Sequence, residues 1–208
     1  MNYNNTRYII IEGGIGAGKT TLLHNLERIF PANYIYEYIE SQTGKEMLTN
    51  YLKGKLSASA FQYYIANYWL NELEKNKNQP MIIMERGPLA GLAFCEIKDF
   101  GTTQCYNSFV SYLKLIMKKF NIINLRFKVI NDPINIREVE DLIKTTNDNL
   151  VIFISASADV LRERVLLRNR DGEATAYNNN NFLMNNANKL SNIYQNPINE
   201  IKSLIITK

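Results

Sequence analysis

Short apolar runs alternate along this chain with longer segments in which apolar residues recur every three or four positions. The short runs are typical of buried parallel strands, and the longer segments are typical of helices that bury one face. Predicted strands cover residues 8–11, 34–39, 80–84, 150–154 and 204–206. Predicted helices cover residues 19–30, 46–52, 58–73, 88–97, 107–119, 159–168 and 179–194. This order predicts one α/β domain over residues 1–208, with a parallel sheet of about five strands and helices on both faces.

Residues 122–149 fit this alternation least well. Their pattern allows an extra strand followed by a helix, with Pro133 near the start of that helix. No chemistry is assigned to this segment from the sequence.

A glycine-rich loop follows the first predicted strand and leads directly into the first predicted helix. It satisfies the pattern G-x-x-x-x-G-K-[ST], in which backbone N–H groups cradle phosphates. We expect Lys19 to reach the β- and γ-phosphates of ATP, and Thr20 to ligate Mg²⁺. The predicted cofactors are therefore ATP and Mg²⁺, and the predicted fold is that of the P-loop NTPases. The candidate nucleotide-binding residues are Gly13, Gly14, Ile15, Gly16, Ala17, Gly18, Lys19, Thr20 and Thr21.

Charged residues stand at the ends of the next two predicted strands. Glu40 ends the second strand, where a carboxylate can accept the proton of an attacking hydroxyl, although Glu37 competes for this role. Glu85 and Arg86 end the third strand. The acid can support Mg²⁺, and the arginine can hold the reacting oxygen and the phosphoryl group.

A cluster of arginines follows the strand predicted at residues 150–154. Arg164 and Arg168 share one face of a helix, and Arg170 follows where the helix gives way to Asp171. Such a cluster can act as a lid, here at about residues 164–176, that closes over a triphosphate and stabilises charge in the transition state.

In this order the motifs resemble the deoxynucleoside kinase family, and within it the herpesviral thymidine kinases. The resemblance runs from Ile9 to the last predicted strand and rests on the phosphate loop, the Glu85-Arg86-Gly87-Pro88-Leu89-Ala90 run, the Phe94-Cys95 pair and the Asp171-Gly172-Glu173 turn. It implies a kinase with Glu40 as general base, Arg86, Lys19 and the lid arginines as further catalytic groups, and Thr20 and Glu85 at the metal. It also implies a deoxynucleoside site. Its residues would be Tyr51 and Glu173 at the sugar 3′-hydroxyl, Gln62 at the base, Gly91 and Phe94 around the base, and Arg86 at the 5′-oxygen. Ser41 departs from the pattern, since the family often has proline after the glutamate.

Thymidine is the acceptor that we expect, because Ala90 and Gly91 leave room for a substituted pyrimidine. A thymidylate kinase is the nearest alternative, but such enzymes usually carry an acidic residue at the position of Ile15 and an aromatic residue at that of Gly87. A catalytically inactive ATP-binding interaction protein is a second alternative, against which the intact Lys19 and Arg86 argue.

Composition excludes several other partners. The formal net charge of +4, from 24 basic and 20 acidic side chains, is too small for a protein that coats nucleic acid. Apolar runs are too short for a membrane helix, and the two cysteines form no metal or disulfide pattern. We therefore expect a cytoplasmic protein whose partner is a small deoxynucleoside, with no nucleic-acid or membrane partner. The family resemblance also implies a homodimer. The likeness to herpesviral enzymes implies a viral protein inside its host cell.

Overall fold

A five-stranded parallel sheet forms the centre of the protein in the computed structural model, which describes residues 6–168 and 179–195. The strands lie in the order β2-β3-β1-β5-β4, and each pairs with its neighbour in parallel. Their bounds are β1 Arg7–Gly13, β2 Asn33–Ile35, β3 Met81–Glu85, β4 Arg126–Asn131 and β5 Leu150–Ser155. The central position of β1 places the phosphate loop at the middle of the sheet's carboxyl edge, where ligands of α/β proteins bind.

Seven α-helices and three 3₁₀ segments connect and flank the strands within the described ranges. The helices are α1 Lys19–Ile29, α2 Gln42–Leu52, α3 Ala58–Asn76, α4 Thr103–Lys119, α5 Ile136–Thr145, α6 Ala158–Arg168 and α7 Asn180–Gln195. The 3₁₀ segments are Tyr38–Glu40, Pro88–Phe94 and Ile97–Phe100. None of these helices is long and apolar enough to cross a membrane.

The core has one layer on each face of the sheet. Alternate residues of β1 divide between them, since Tyr8 and Ile10 pack with α3 and α4, whereas Ile9 and Ile11 pack with α1, α5 and α6. Both layers are apolar, which explains why the central strands read as continuous apolar runs rather than as alternating ones. The predicted fold, a parallel sheet with helices on both faces, is confirmed.

Several predicted elements differ in detail. The strand predicted at residues 34–39 ends at Ile35, and Tyr38–Glu40 forms a 3₁₀ turn instead. The helix predicted at residues 88–97 is a 3₁₀ segment over Pro88–Phe94, with Pro88 in its first turn. Helices α2 and α4 begin about four residues earlier than predicted, at the positions that Ser41 and Thr102 cap. The strand predicted at residues 204–206 lies outside the described residues.

The segment 122–149 contains the edge strand β4 and helix α5. Most side chains of β4 are exposed and only Ile130 is buried, so the strand has no apolar run that would reveal it in the sequence. Val139 and Ile143 anchor α5 in the same core layer as α1. The extra strand and helix considered for this segment are therefore both present.

Candidate active site

The phosphate loop curls between β1 and α1, and the conformation of its backbone requires glycine. Gly16 and Gly18 have φ angles of 84° and 90°, in the left-handed region that side chains disfavour. A Cβ atom on Gly16 would also lie 2.6 Å from the carbonyl oxygen of Leu161. Gly13, Gly14 and Ala17 are buried behind the loop, and Ile15, Gly16, Gly18, Lys19, Thr20 and Thr21 line a cavity of about 1600 Å³.

Lys19 is buried at the floor of this cavity, where its ammonium group donates a hydrogen bond of 3.1 Å to the carbonyl oxygen of Gly14. Burial, and then the nearby guanidinium of Arg86, lowers the pKa of Lys19 to about 8. The carboxylates around it do not fully compensate. Phosphate oxygens next to Lys19 would raise this pKa again and favour the charged ammonium group.

Thr20 and Glu85 meet where α1 begins and β3 ends. The Thr20 hydroxyl donates a hydrogen bond of 2.7 Å to Oε1 of Glu85. The other carboxylate oxygen, Oε2, is buried and has no hydrogen-bond partner among the described residues. Burial, and then the carboxylate of Glu37, raises the pKa of Glu85. A cation here would satisfy the buried oxygen and offset the repulsion, so the two residues fit a Mg²⁺ that also takes phosphate and water oxygens.

Arg86 lies at the centre of a buried network of charges. Its φ angle of 66° is unusual for a residue other than glycine, and its backbone N–H continues the sheet with a hydrogen bond of 2.9 Å to Ile11. The guanidinium donates through Nε to Glu37 at 3.0 Å and through Nη1 to Glu12 at 3.1 Å. Burial alone would lower the pKa of Arg86, but the carboxylates of Glu37 and Glu12 raise it. The ring of Phe94 lies 5.2 Å from the guanidinium carbon, so Arg86 is fixed from several sides.

Glu12 is a member of this network that the sequence reasoning missed. It is fully buried, and its Oε1 accepts a hydrogen bond of 3.1 Å from the N–H of Gly87. Burial raises the pKa of Glu12, while the charges of Arg86 and Lys19 oppose that rise. A charged residue inside an apolar strand, directly before the phosphate loop, was the signal available in the sequence.

Glu37 and Glu40 both line the cavity but differ in their surroundings. Glu37 pairs with Arg86, and only 13% of its side chain is exposed. Glu40 ends the 3₁₀ turn and is exposed. The structure therefore places Glu37 in the charged network with Arg86.

Three of the predicted acceptor residues, Tyr51, Gln62 and Gly91, line the same cavity. Gln62 is 2% exposed, and its amide oxygen has no hydrogen-bond partner in the part of the chain that the structure describes. Gly91 faces this oxygen closely, since a Cβ atom at that position would lie 2.6 Å from it. Tyr51 stacks on Phe61 at 4.6 Å between ring centroids and also lines the cavity. A buried amide whose oxygen has no partner among the described residues, beside apolar rings, suits the edge and face of a nucleobase.

The arginines predicted for the lid lie partly within the described residues. Arg164 extends from α6 and donates to both carboxylate oxygens of Asp132, at 2.9 and 3.1 Å. Its other terminal nitrogen, Nη1, lies 3.7 Å from where a Cβ atom on Gly18 would stand. Arg168 lines the same cavity. Arg170 and Glu173 lie outside the described residues.

Comparisons with known proteins found similarity in fold and in family. Two structures of deoxyadenosine kinase from M. mycoides are similar in fold. The one with bound dCTP has a TM-score of 0.59 at 16% identity, covering 94% of this chain and 85% of that chain. The one with the products dCMP and a flexible dCDP bound has a TM-score of 0.56 at 18% identity, covering 93% and 85%. The comparison with curated proteins gave no match. The family model for deoxynucleoside kinases matches residues 9–204, so the chain belongs to the deoxynucleoside kinase family.

Proposed function

We propose that this protein transfers the γ-phosphate of ATP to the 5′-hydroxyl of a deoxynucleoside. The observation that carries the proposal is the arrangement of a single cavity. The phosphate loop with Lys19 lines one part of it, and Gln62, whose amide oxygen has no partner among the described residues, lines another. Arg86 lines it as well. A donor and an acceptor bound at these places would bring their reacting groups together near Arg86, and such positioning supplies much of the catalysis of phosphoryl transfer.

Thymidine is the acceptor that we propose first. Gly91 approaches the amide oxygen of Gln62 closely, and Ala90 and Ala93 keep the adjoining wall small. The amide can donate to one base atom and accept from another, as the Watson–Crick edge of a pyrimidine requires. Deoxyadenosine belongs in the same experiment because the similar structures are those of deoxyadenosine kinases.

For the general base, the contacts favour Glu37 over Glu40. Glu37 accepts a hydrogen bond from Arg86, which would hold the carboxylate in place while it takes the 5′-hydroxyl proton. The guanidinium would then also lie next to the phosphoryl group in transfer. Glu40 lines the same cavity and stays the second candidate.

At the donor end, we propose that Lys19 and the loop N–H groups hold the phosphates of ATP, and that Thr20 and Glu85 hold Mg²⁺. The metal would offset the charge that develops between the phosphates. Arg164 would approach the same phosphates from the side of α6, with Arg168 beside it and Arg170 after it in the chain. Tyr51 and Glu173 remain the proposed partners of the sugar 3′-hydroxyl.

The test is to incubate the protein with Mg²⁺ and γ-labelled ATP against thymidine, deoxycytidine, deoxyadenosine, deoxyguanosine and thymidine monophosphate. We expect labelled product with a nucleoside, and the largest amount with thymidine. Transfer to deoxyadenosine alone would retain the kinase and overturn the thymidine assignment. Transfer to the monophosphate alone would indicate a thymidylate kinase. ATP binding without transfer to any acceptor would indicate an inactive binding protein.

A further inference from the structure

Helix α7 contacts both the phosphate loop and the turn that carries Arg86. A Cβ atom on Gly14 would lie 3.4 Å from the Cβ atom of Ala187, so α7 packs against the loop. A Cβ atom on Gly87 would lie 2.8 Å from the hydroxyl oxygen of Tyr194, so α7 also reaches the residue that follows Arg86. Ala187 and Tyr194 are about two turns apart on the same side of the helix. One face of α7 therefore supports both the loop and the Arg86 turn.

The side chain of Tyr194 carries a polar group into the core. The residue is 4% exposed, and its ring packs in the core layer of α3 and α4. The hydroxyl oxygen is buried and has no hydrogen-bond partner among the described residues. Buried polar groups without a partner are rare because each one costs stability, and phenylalanine would fill the same space without that cost. The hydroxyl therefore calls for an explanation other than packing.

The groups around this hydroxyl identify its partner. Glu12 is fully buried, and its Oε1 accepts a hydrogen bond from the N–H of Gly87, the glycine that Tyr194 approaches. Burial, and then the charge of Glu12, raises the pKa of Tyr194 well above its usual value, while the charge of Arg86 opposes that rise. The N–H of Gly87 and the guanidinium of Arg86 can only donate hydrogen bonds. Of these three neighbours, the carboxylate of Glu12 is the one that can accept the hydroxyl proton.

We propose that Tyr194 is a positioning residue, whose hydroxyl donates a hydrogen bond to Glu12 and thereby holds Arg86 in place for phosphoryl transfer. The Oε2 atom of Glu12 accepts from Nη1 of Arg86 at 3.1 Å, so a carboxylate fixed from the side of α7 fixes the guanidinium in turn. The described residues that line the cavity include Arg86 but neither Glu12 nor Tyr194, so Tyr194 acts through its neighbours. This inference rests on the proposed function in taking Arg86 as the group next to the transferred phosphoryl group.

The kinetic experiment compares Tyr194→Phe, which removes only the hydroxyl, with Tyr8→Phe. Tyr8 is the matched control, because it is 1% exposed and packs in the same core layer but lies near the start of β1, away from the phosphate loop. The measured constants are kcat and KM for the nucleoside that gives most product, and the Kd for ATP. We expect Tyr194→Phe to lower kcat about tenfold and to leave KM and Kd unchanged, because a displaced Arg86 weakens contacts made in the transition state. Tyr8→Phe should leave all three constants unchanged.

A double-mutant cycle tests the contact without the reaction. Urea unfolding is measured for the wild type, Tyr194→Phe, Glu12→Gln and the double variant. If the hydroxyl donates to Glu12, the two effects should be non-additive by about five- to tenfold in the unfolding equilibrium constant, because the second substitution finds the bond already lost. Tyr8→Phe combined with Glu12→Gln should be additive.

Three results would overturn the assignment. An unchanged kcat in Tyr194→Phe would mean that the hydroxyl has no part in holding Arg86. Additive effects in the cycle would mean that the hydroxyl does not bond to Glu12. A loss of kcat together with equal losses in KM and in the Kd for ATP would mean that Tyr194 supports only the general packing of the site. A wild type that transfers phosphate to no acceptor would overturn the proposed function instead, and the cycle would then decide the contact by itself.

Discussion

The pair of glutamates at the end of the second strand allows a decisive experiment on the general base. Glu37→Gln and Glu40→Gln each replace a carboxylate by an amide of nearly the same shape. If Glu37 takes the proton of the 5′-hydroxyl, its variant should lose about 10²–10⁴-fold in kcat, which is typical for removal of a general base. Glu40→Gln should lose less than about tenfold, because its side chain is exposed, whereas that of Glu37 pairs with the buried guanidinium of Arg86.

The loss of kcat in Glu37→Gln can be distinguished from a loss of stability. A loss of 10²–10⁴-fold corresponds to about 2.7–5.4 kcal/mol in the activation barrier. Removing one partner of a buried ion pair costs about 3–5 kcal/mol of stability when the other charge is left alone. Arg86 would not be left alone, since Glu12 still accepts from its Nη1 at 3.1 Å and the new amide oxygen can accept from its Nε. We therefore expect Glu37→Gln to stay folded and to lose stability by less than that range.

The assay is a single-turnover measurement with labelled ATP and saturating nucleoside, accompanied by ATP titration of each variant. Unchanged ATP affinity with a slow chemical step would assign the effect to proton transfer. A large loss in Glu40→Gln with near-normal rates in Glu37→Gln would refute the reasoning from the Arg86 contact and restore Glu40 as the base. Near-normal rates in both variants would show that neither carboxylate accepts the proton.

Three further predictions follow from individual contacts. Gly91→Ala should raise the KM for the nucleoside at least about tenfold and leave that for ATP unchanged, because the new Cβ would lie 2.6 Å from the Gln62 amide oxygen; an unchanged nucleoside KM would remove Gln62 from the base site. Ser57→Ala should lower the free energy of unfolding by about 1 kcal/mol in urea titrations without altering kinetics, because the Ser57 hydroxyl caps α3 through the N–H of Ala60. Burial lowers the pKa of Lys19 from 10.5 to about 8, so the unfolded chain binds more protons between these values. The free energy of unfolding of the nucleotide-free protein should therefore rise with pH across that window, by roughly 3 kcal/mol relative to Lys19→Met, and equal pH slopes would contradict this.

The parts of the fold that the sequence predicted well are those with a local signal. Strands β1, β3 and β5 are apolar runs buried on both faces, and the phosphate loop is a contiguous motif whose glycines meet a backbone requirement. The end of the phosphate loop leads into Lys19 and Thr20, and the end of β3 leads into Glu85 and Arg86. Their meeting at the sheet edge could therefore be predicted from strand order alone. Strand β4 lacked such a signal because its position at the sheet edge leaves most of its side chains exposed.

The contact between Glu37 and Arg86 shows where local reasoning ends. Residues 34–39 have the composition of a strand, and a strand continued to Ile39 would carry Glu40 to the ligand edge. The strand instead ends at Ile35, and the chain turns into a 3₁₀ segment that begins after Glu37. Tyr38 and Ile39 pack in a small apolar cluster with Leu48 and Phe61, and this packing stabilises the turn. The partner of Arg86 therefore depends on packing against α2 and α3, a long-range contact that no local pattern contains.

The balance of charge explains why this site would need both a nucleotide and a metal. When ionised, the carboxylates of Glu12, Glu37 and Glu85 outnumber the cations of Lys19 and Arg86 by one, and burial already raises the pKa of Glu12 and Glu85. Bare phosphates would therefore meet carboxylates whose repulsion Lys19 and Arg86 cannot cancel. A divalent cation between Thr20, Glu85 and the phosphates would reverse this, because it pairs with the buried oxygen of Glu85 and with the nucleotide at once. The metal would then compensate the negative charge that Lys19 and Arg86 alone do not balance. We therefore expect ATP to bind weakly to this loop when Mg²⁺ is absent.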